Sequence, residues 1–112
     1  MREGFVAYLV LALAIVSEVL GTVSLKLSEG FSKPFPSVLV VIGYAAAFTA
    51  LSAVLKLGLP IGVVYAVWAG AGVALVAIAG AVFLGESMTA VQVGGLALII
   101  GGVVALELGG AH

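Results

Sequence analysis

One carboxylic acid, Glu18, breaks an apolar run that otherwise carries no charge over residues 4–25. An acidic side chain near the centre of a membrane-length helix costs about 2.5–3.5 kcal/mol on insertion scales, and such residues are usually functional. Burial disfavours the charged form of a carboxyl, and a second carboxyl nearby disfavours it further. A carboxyl balanced in this way can take a proton or hold a cation, but not both at once. That exclusion is the chemical basis of proton–cation exchange. The competing reading is a structural carboxyl, protonated or hydrogen-bonded to Ser17 or Thr22.

The neighbours of Glu18 favour a cation site. On a helix, Leu11, Ala14, Glu18 and Thr22 share a face at spacings of three or four. Ala14 is small and would leave room beside the carboxylate. Tyr44 and Phe48 stand one turn apart in the second apolar run, and Tyr65 and Trp68 stand three apart in the third. Aromatic faces attract cations by about 0.5–2 kcal/mol each. Binding at 1 μM needs about 8 kcal/mol, so the aromatics require a carboxylate and apolar burial beside them. Trp and Tyr also collect at headgroup depth. That reading suits Tyr8, near the start of the first run, better than Trp68, well inside the third.

Two groups of glycines accompany these residues. Gly70 and Gly72 flank Ala71, starting two residues after Trp68. They permit a bend and read as a hinge, with close helix packing as the alternative. Gly94-Gly95 and Gly101-Gly102 recur at seven residues on the last run, which over residues 87–106 has no charge and no aromatic side chain. Small residues let membrane helices approach closely, so this run is expected to dimerise, with packing inside the chain as the alternative.

Positioning these residues requires a membrane. Of 112 residues, 64% are hydrophobic and only 8% are charged, against about 25% in a soluble domain. The bilayer must serve as solvent. A helix crosses a hydrocarbon core of roughly 30 Å with about 20 residues, and four spans follow: 4–25, 37–55, 60–84 and 88–107. A signal peptide in the first run is disfavoured, because the apolar stretch continues past Ala12-Leu13-Ala14. The connections are short, rich in Gly30, Pro34 and Pro36, and Ser37 reads as the N-cap of the second helix. No internal repeat or linker divides the chain, so residues 1–112 read as a single all-α transmembrane domain. With four spans, Arg2 and Lys56 fall on one side and Lys26 and Lys33 on the other. The positive-inside rule needs an imbalance. Two against two predicts insertion in both orientations.

Taken together, these residues resemble the small multidrug resistance family of proton-coupled exporters. The resemblance rests on Ser17-Glu18-Val19-Leu20-Gly21-Thr22, on Lys26 followed by Ser28-Glu29-Gly30-Phe31, and on Pro36-Ser37. It continues through Gly43-Tyr44, Gly62-Val63-Val64-Tyr65-Ala66-Val67-Trp68 and Gly70-Ala71-Gly72. Each piece is weak alone; their order and spacing are specific. The resemblance implies an antiparallel, dual-topology homodimer in the inner (plasma) membrane, with one site at the interface. It assigns Glu18 to protons and substrate, Ala14, Thr22, Tyr44, Tyr65 and Trp68 to substrate, and Gly95 and Gly102 to dimerisation. The family has a multidrug, quaternary ammonium branch and a guanidinium branch. Gly21-Thr22 and Tyr44 look like the first, whereas Leu59-Pro60-Ile61-Gly62 and Leu84-Gly85-Glu86-Ser87 also occur in the second. Ala69 and Ala47 stand where hydroxyl residues are common, which suggests a less polar pocket and lipophilic cations.

Rival classes remain in view. A rotor proteolipid also buries a carboxyl, but Trp68, Tyr65 and Tyr44 would be unhelpful in a large ring. A structural or accessory subunit, half of a paired exporter, would be expected to carry a charge bias. No nucleophile–base pair or cofactor loop suggests an enzyme. There is no cysteine, only one histidine, His112, and a net charge of −1, which favours neither a metal or other cofactor nor a nucleic-acid partner. The expected partners are protons, organic cations, the lipid bilayer and a second copy of the chain.

Overall fold

A computed structural model describes residues 2–109; Met1 and residues 110–112, His112 among them, lie outside the described residues, as do the side chains of Arg2 and Glu3. Four helices follow in order: α1 (Arg2–Leu27), α2 (Pro34–Lys56), α3 (Ile61–Phe83) and α4 (Ala90–Gly109). Each is long and apolar enough to cross a membrane. At 1.5 Å per residue, even the 20 residues of α4 reach roughly 30 Å. Large apolar side chains such as Leu13, Phe35, Val82, Val91 and Leu98 lie exposed around the bundle, as a lipid solvent permits.

Glycine sets how the helices meet. α1 packs most extensively on α2. A Cβ on Gly43 would stand 2.9 Å from both Gly21 Cα and the Ser17 carbonyl oxygen, so the two backbones touch. α3 lies across α1, and Leu11, Ala14, Ile15, Val54, Val64 and Trp68 form the shared core. α4 packs against α3 alone to any extent, at Gly70, where a Cβ would meet Val103 Cγ2 at 2.5 Å. None of the residues of α4 is buried.

Polar contacts fix the two ends of the bundle. At one end Lys26 pairs with Glu86, tying the last turn of α1 to the α3–α4 connection. At the other, the Tyr8 hydroxyl donates to Glu107 Oε1 at 3.1 Å. The first connection winds around buried Ser28. Its hydroxyl donates to the Leu25 carbonyl and accepts from the Phe31 N–H, and its carbonyl accepts from the N–H groups of Ser32 and Lys33. These bonds hold Glu29 and Phe31, with Gly30 between them, at φ of 48°, 66° and 74°, a region that side-chain-bearing residues seldom enter. The ion pair Lys33–Glu29 spans 2.6 Å and holds the Glu29 carboxyl below its ordinary value of 4.5.

The starts of α2 and α4 are set by their caps. α2 begins at Pro34 with Lys33 as its N-cap, not at Ser37. Proline at the first helical position has its φ preset and lacks only an N–H that would be unpaired there anyway. Ser37, already helical, donates its hydroxyl to the Lys33 carbonyl at 2.6 Å. α4 opens on a reciprocal cap: the Thr89 N–H donates to Gln92 Oε1 at 2.9 Å, and the Gln92 N–H donates to Thr89 Oγ1 at 3.1 Å.

Candidate functional site

Glu18 sits in the middle of α1, half-buried, and lines a cavity of about 480 Å³ together with Tyr65, Trp68, Ala69 and Gly72 of α3. On this face of α3 the small residues Ala69 and Gly72 follow the two aromatic side chains and leave space beside them. A second cavity of similar size, about 470 Å³, is lined by apolar residues such as Leu20, Val23, Leu75 and Phe83 and offers no chemistry.

The two oxygens of Glu18 have different surroundings. Oε2 accepts from the Thr22 hydroxyl at 2.6 Å, one helical turn away. Thr22 Oγ1 lies 2.8 Å from the Tyr44 hydroxyl of α2. A hydroxyl carries one proton. With Thr22 donating to an ionised Glu18, Tyr44 donates to Thr22, and the chain runs Tyr44 to Thr22 to Glu18. Tyr44 reaches this place because its ring lies over Gly21, where a Cβ would stand 2.9 Å from Cδ1 of the ring. Oε1 has no hydrogen bond among the described residues and points toward Gly72, at which a Cβ would lie 3.3 Å away.

Trp68 is 9% exposed and stacks on Phe48 of α2, with centroids 5.9 Å apart and ring planes at 24°. Tyr65, by contrast, is 67% exposed and presents its ring at the cavity mouth.

The structure thus brings Glu18, Tyr65, Trp68 and Gly72 together around one space and joins Thr22 and Tyr44 to it through the carboxylate. It does not bring Ala14 there. Ala14 is fully buried in the core between the helices, because that part of the α1 face is covered by its neighbours. α3 is helical without interruption through Gly70 and Gly72, and both stand at close approaches, to Val103 and to Glu18. Gly102 is exposed and Gly95 half-exposed, and beyond their chain neighbours and own helix backbone no described atom would lie within 4 Å of a Cβ at either. Gly21 and Gly43, which admit Tyr44, carried no site expectation in the sequence, whereas Phe48 was named there beside Tyr44. The one-turn spacing of Phe48 from Tyr44 was the available signal.

Residues 6–99 match the family described as Small Multidrug Resistance protein. The chain is 46% identical over 101 residues to the multidrug transporter PA4990 of Pseudomonas aeruginosa, covering 90% of this chain and 91% of that one. It is 48% identical over 101 residues to the quaternary ammonium compound-resistance protein QacE of Escherichia coli, with the same coverage. It is 49% identical over 104 residues to the multidrug resistance protein EbrB of Bacillus subtilis, covering 93% of this chain and 88% of that one. With four membrane-length helices and a match across most of its length, this multi-pass protein of the bacterial inner membrane belongs to the small multidrug resistance family of transporters.

Proposed function

We propose that the chain exports lipophilic or quaternary ammonium cations in exchange for protons. The observation that carries this reading is the half-buried Glu18 carboxylate, opening at mid-span onto a cavity walled by Trp68 and Tyr65. A deprotonated carboxylate and two aromatic faces suit an organic cation. The same carboxylate, when protonated, has no charge left to hold one. Relatives described as multidrug and quaternary ammonium resistance proteins support the choice of substrate. So does Ala69, which gives the cavity wall no hydroxyl.

The working unit in this reading is an antiparallel homodimer whose two Glu18 side chains share one site. Three observations support it. Lysine and arginine divide two against two, no residue of α4 is buried within the protomer, and Gly94, Gly95, Gly101 and Gly102 leave its surface open to close approach. Two copies in opposite orientations also make an inverted repeat, the symmetry on which many transporters are built. Gly70 and Gly72 would let α3 adjust as the halves exchange roles. Drug displaces protons from the carboxyl pair on the cytoplasmic side, and outside protons release the drug. The pair titrates as a unit. Proton and drug oppose each other by the same coupling energy, whichever binds first.

The test is electrical current from proteoliposomes under an imposed proton gradient. A quaternary ammonium compound is expected to drive current, guanidinium much less, and Glu18→Gln to silence both. Uphill transport by Glu18→Gln would overturn the assignment, and larger guanidinium currents would move the chain to the guanidinium branch.

A further inference from the structure

We infer that Gly72 determines substrate specificity: its missing side chain keeps Oε1 of Glu18 open to a cation whose charge is wrapped in alkyl groups. The inference rests on the export reading above and assigns Gly72 a task distinct from bending α3.

The argument starts from the unequal oxygens of Glu18. Oε2 is engaged by Thr22 at 2.6 Å, and Thr22 in turn by Tyr44. Oε1 is therefore the oxygen available to a ligand. Gly72 lines the same cavity as Oε1, with Trp68 one turn before it on α3. Apart from its own helix backbone and chain neighbours, Oε1 is the only described atom within 4 Å of a Cβ placed on Gly72, at 3.3 Å. That separation is tight but not a clash with backbone. A methyl group there would fit the helix and crowd this one oxygen.

The crowding discriminates by chemistry. A guanidinium or primary ammonium ion carries N–H donors and meets a carboxylate oxygen along a narrow line at hydrogen-bond distance. A quaternary ammonium ion has no N–H. It presents only alkyl groups, so its charge approaches best over a broad open face of the oxygen. Gly72 supplies that breadth. A side chain at this position leaves the narrow approach and removes the broad one, the repulsive element on which selectivity commonly rests.

The test is Gly72→Ala in the full-length protein, with dissociation constants measured in lipid nanodiscs for tetraethylammonium, tetraphenylphosphonium and phenylguanidinium. Alanine favours helix more than glycine does, so the fold is expected to hold. Binding of the two bulky cations should weaken by about tenfold or more, the scale of one added carbon in a pocket, with phenylguanidinium changed less than about twofold. Glu18→Asp withdraws the carboxylate by one carbon. In that background the Gly72→Ala penalty should largely disappear. Equal weakening of all three cations overturns the inference, as does unchanged binding with slower turnover, the signature of a hinge. The unsubstituted protein separates the two levels. If it releases no proton on binding tetraphenylphosphonium, the export reading falls and this inference with it. Normal release with a uniform loss in Gly72→Ala removes only the assignment to Gly72.

Discussion

The hydroxyl of Thr22 stands 2.6 Å from Oε2 of Glu18 and 2.8 Å from the hydroxyl of Tyr44, joining α1 and α2 through a single side chain. Threonine is the middle member and touches both ends. A hydrogen bond to a charged group contributes about 1.5–3 kcal/mol. Thr22→Val keeps the shape and removes the donor, and is expected to weaken cation binding at neutral pH by roughly ten- to a hundredfold, whereas Thr22→Ser retains it. Calorimetric titration with tetraphenylphosphonium checks this. Equal affinity in Thr22→Val would remove the hydroxyl from the site.

Tyr44→Phe keeps the ring over Gly21 and loses only the outer hydroxyl. A neutral hydrogen bond contributes about 0.5–1.5 kcal/mol, so the expected loss in affinity is smaller, roughly two- to tenfold. The two positions act through one chain, and the double variant Thr22→Val with Tyr44→Phe should lose less than the sum of the singles. Additive losses would show that Tyr44 acts separately from Thr22.

Trp68 is the only tryptophan, so intrinsic fluorescence reports its surroundings directly. The stack on Phe48 at 5.9 Å is expected to contribute about 0.5–1.5 kcal/mol beyond buried area. Phe48→Ala should shift the emission and weaken binding of aromatic cations several-fold. An unchanged spectrum would mean that Phe48 does not hold the indole.

The approach of α1 to α2 gives a stability prediction with an internal control. A Cβ on Gly43 would stand 2.9 Å from two backbone atoms, while none lies within 4 Å of one on Gly62. Overpacking a closed interface costs about 1–3 kcal/mol. Gly43→Ala should lower the midpoint of denaturant unfolding in mixed micelles, and Gly62→Ala should leave it nearly unchanged. Equal midpoints for both would contradict the close approach.

Much of this was legible in the sequence because lipid imposes a blunt rule: a span must be nearly free of charge, and four such runs stood out. Their ends were harder. Lys26 and Lys56 lie inside α1 and α2, because a long ammonium stem can reach the interface from the last turn. The Thr89–Gln92 cap was present as a T-x-x-Q pattern but sits among other small polar residues. Around the site, spacing on one helix placed Glu18 and Thr22 together, yet it could not say which neighbour covers each part of the face. Hence Ala14 was expected beside the carboxylate and lies in the core. Tyr44 was expected to offer its ring to a cation. In the structure that ring lies over Gly21 and its hydroxyl meets Thr22, an approach that depends on Gly21 and Gly43 from two different helices.

Outside the membrane, the Glu29 carboxyl is held below its ordinary value chiefly by its hydrogen bond to Lys33. A lowered carboxyl favours the folded form above its ordinary titration range, and loses that contribution as pH falls through the lowered value. The pair is exposed, so the effect on stability should be negligible. Lys33→Met should move the Glu29 titration, followed by NMR, back up toward 4.5. A titration that does not move would contradict the pairing.

Proton release on drug binding tests the central claim most directly. Tetraphenylphosphonium added to the detergent-solubilised protein in weakly buffered solution, followed with a pH indicator, should acidify the medium, and Glu18→Gln should abolish the signal. Acidification that persists in Glu18→Gln, or tight binding by the unsubstituted protein without any acidification, would contradict an exchange built on this carboxylate.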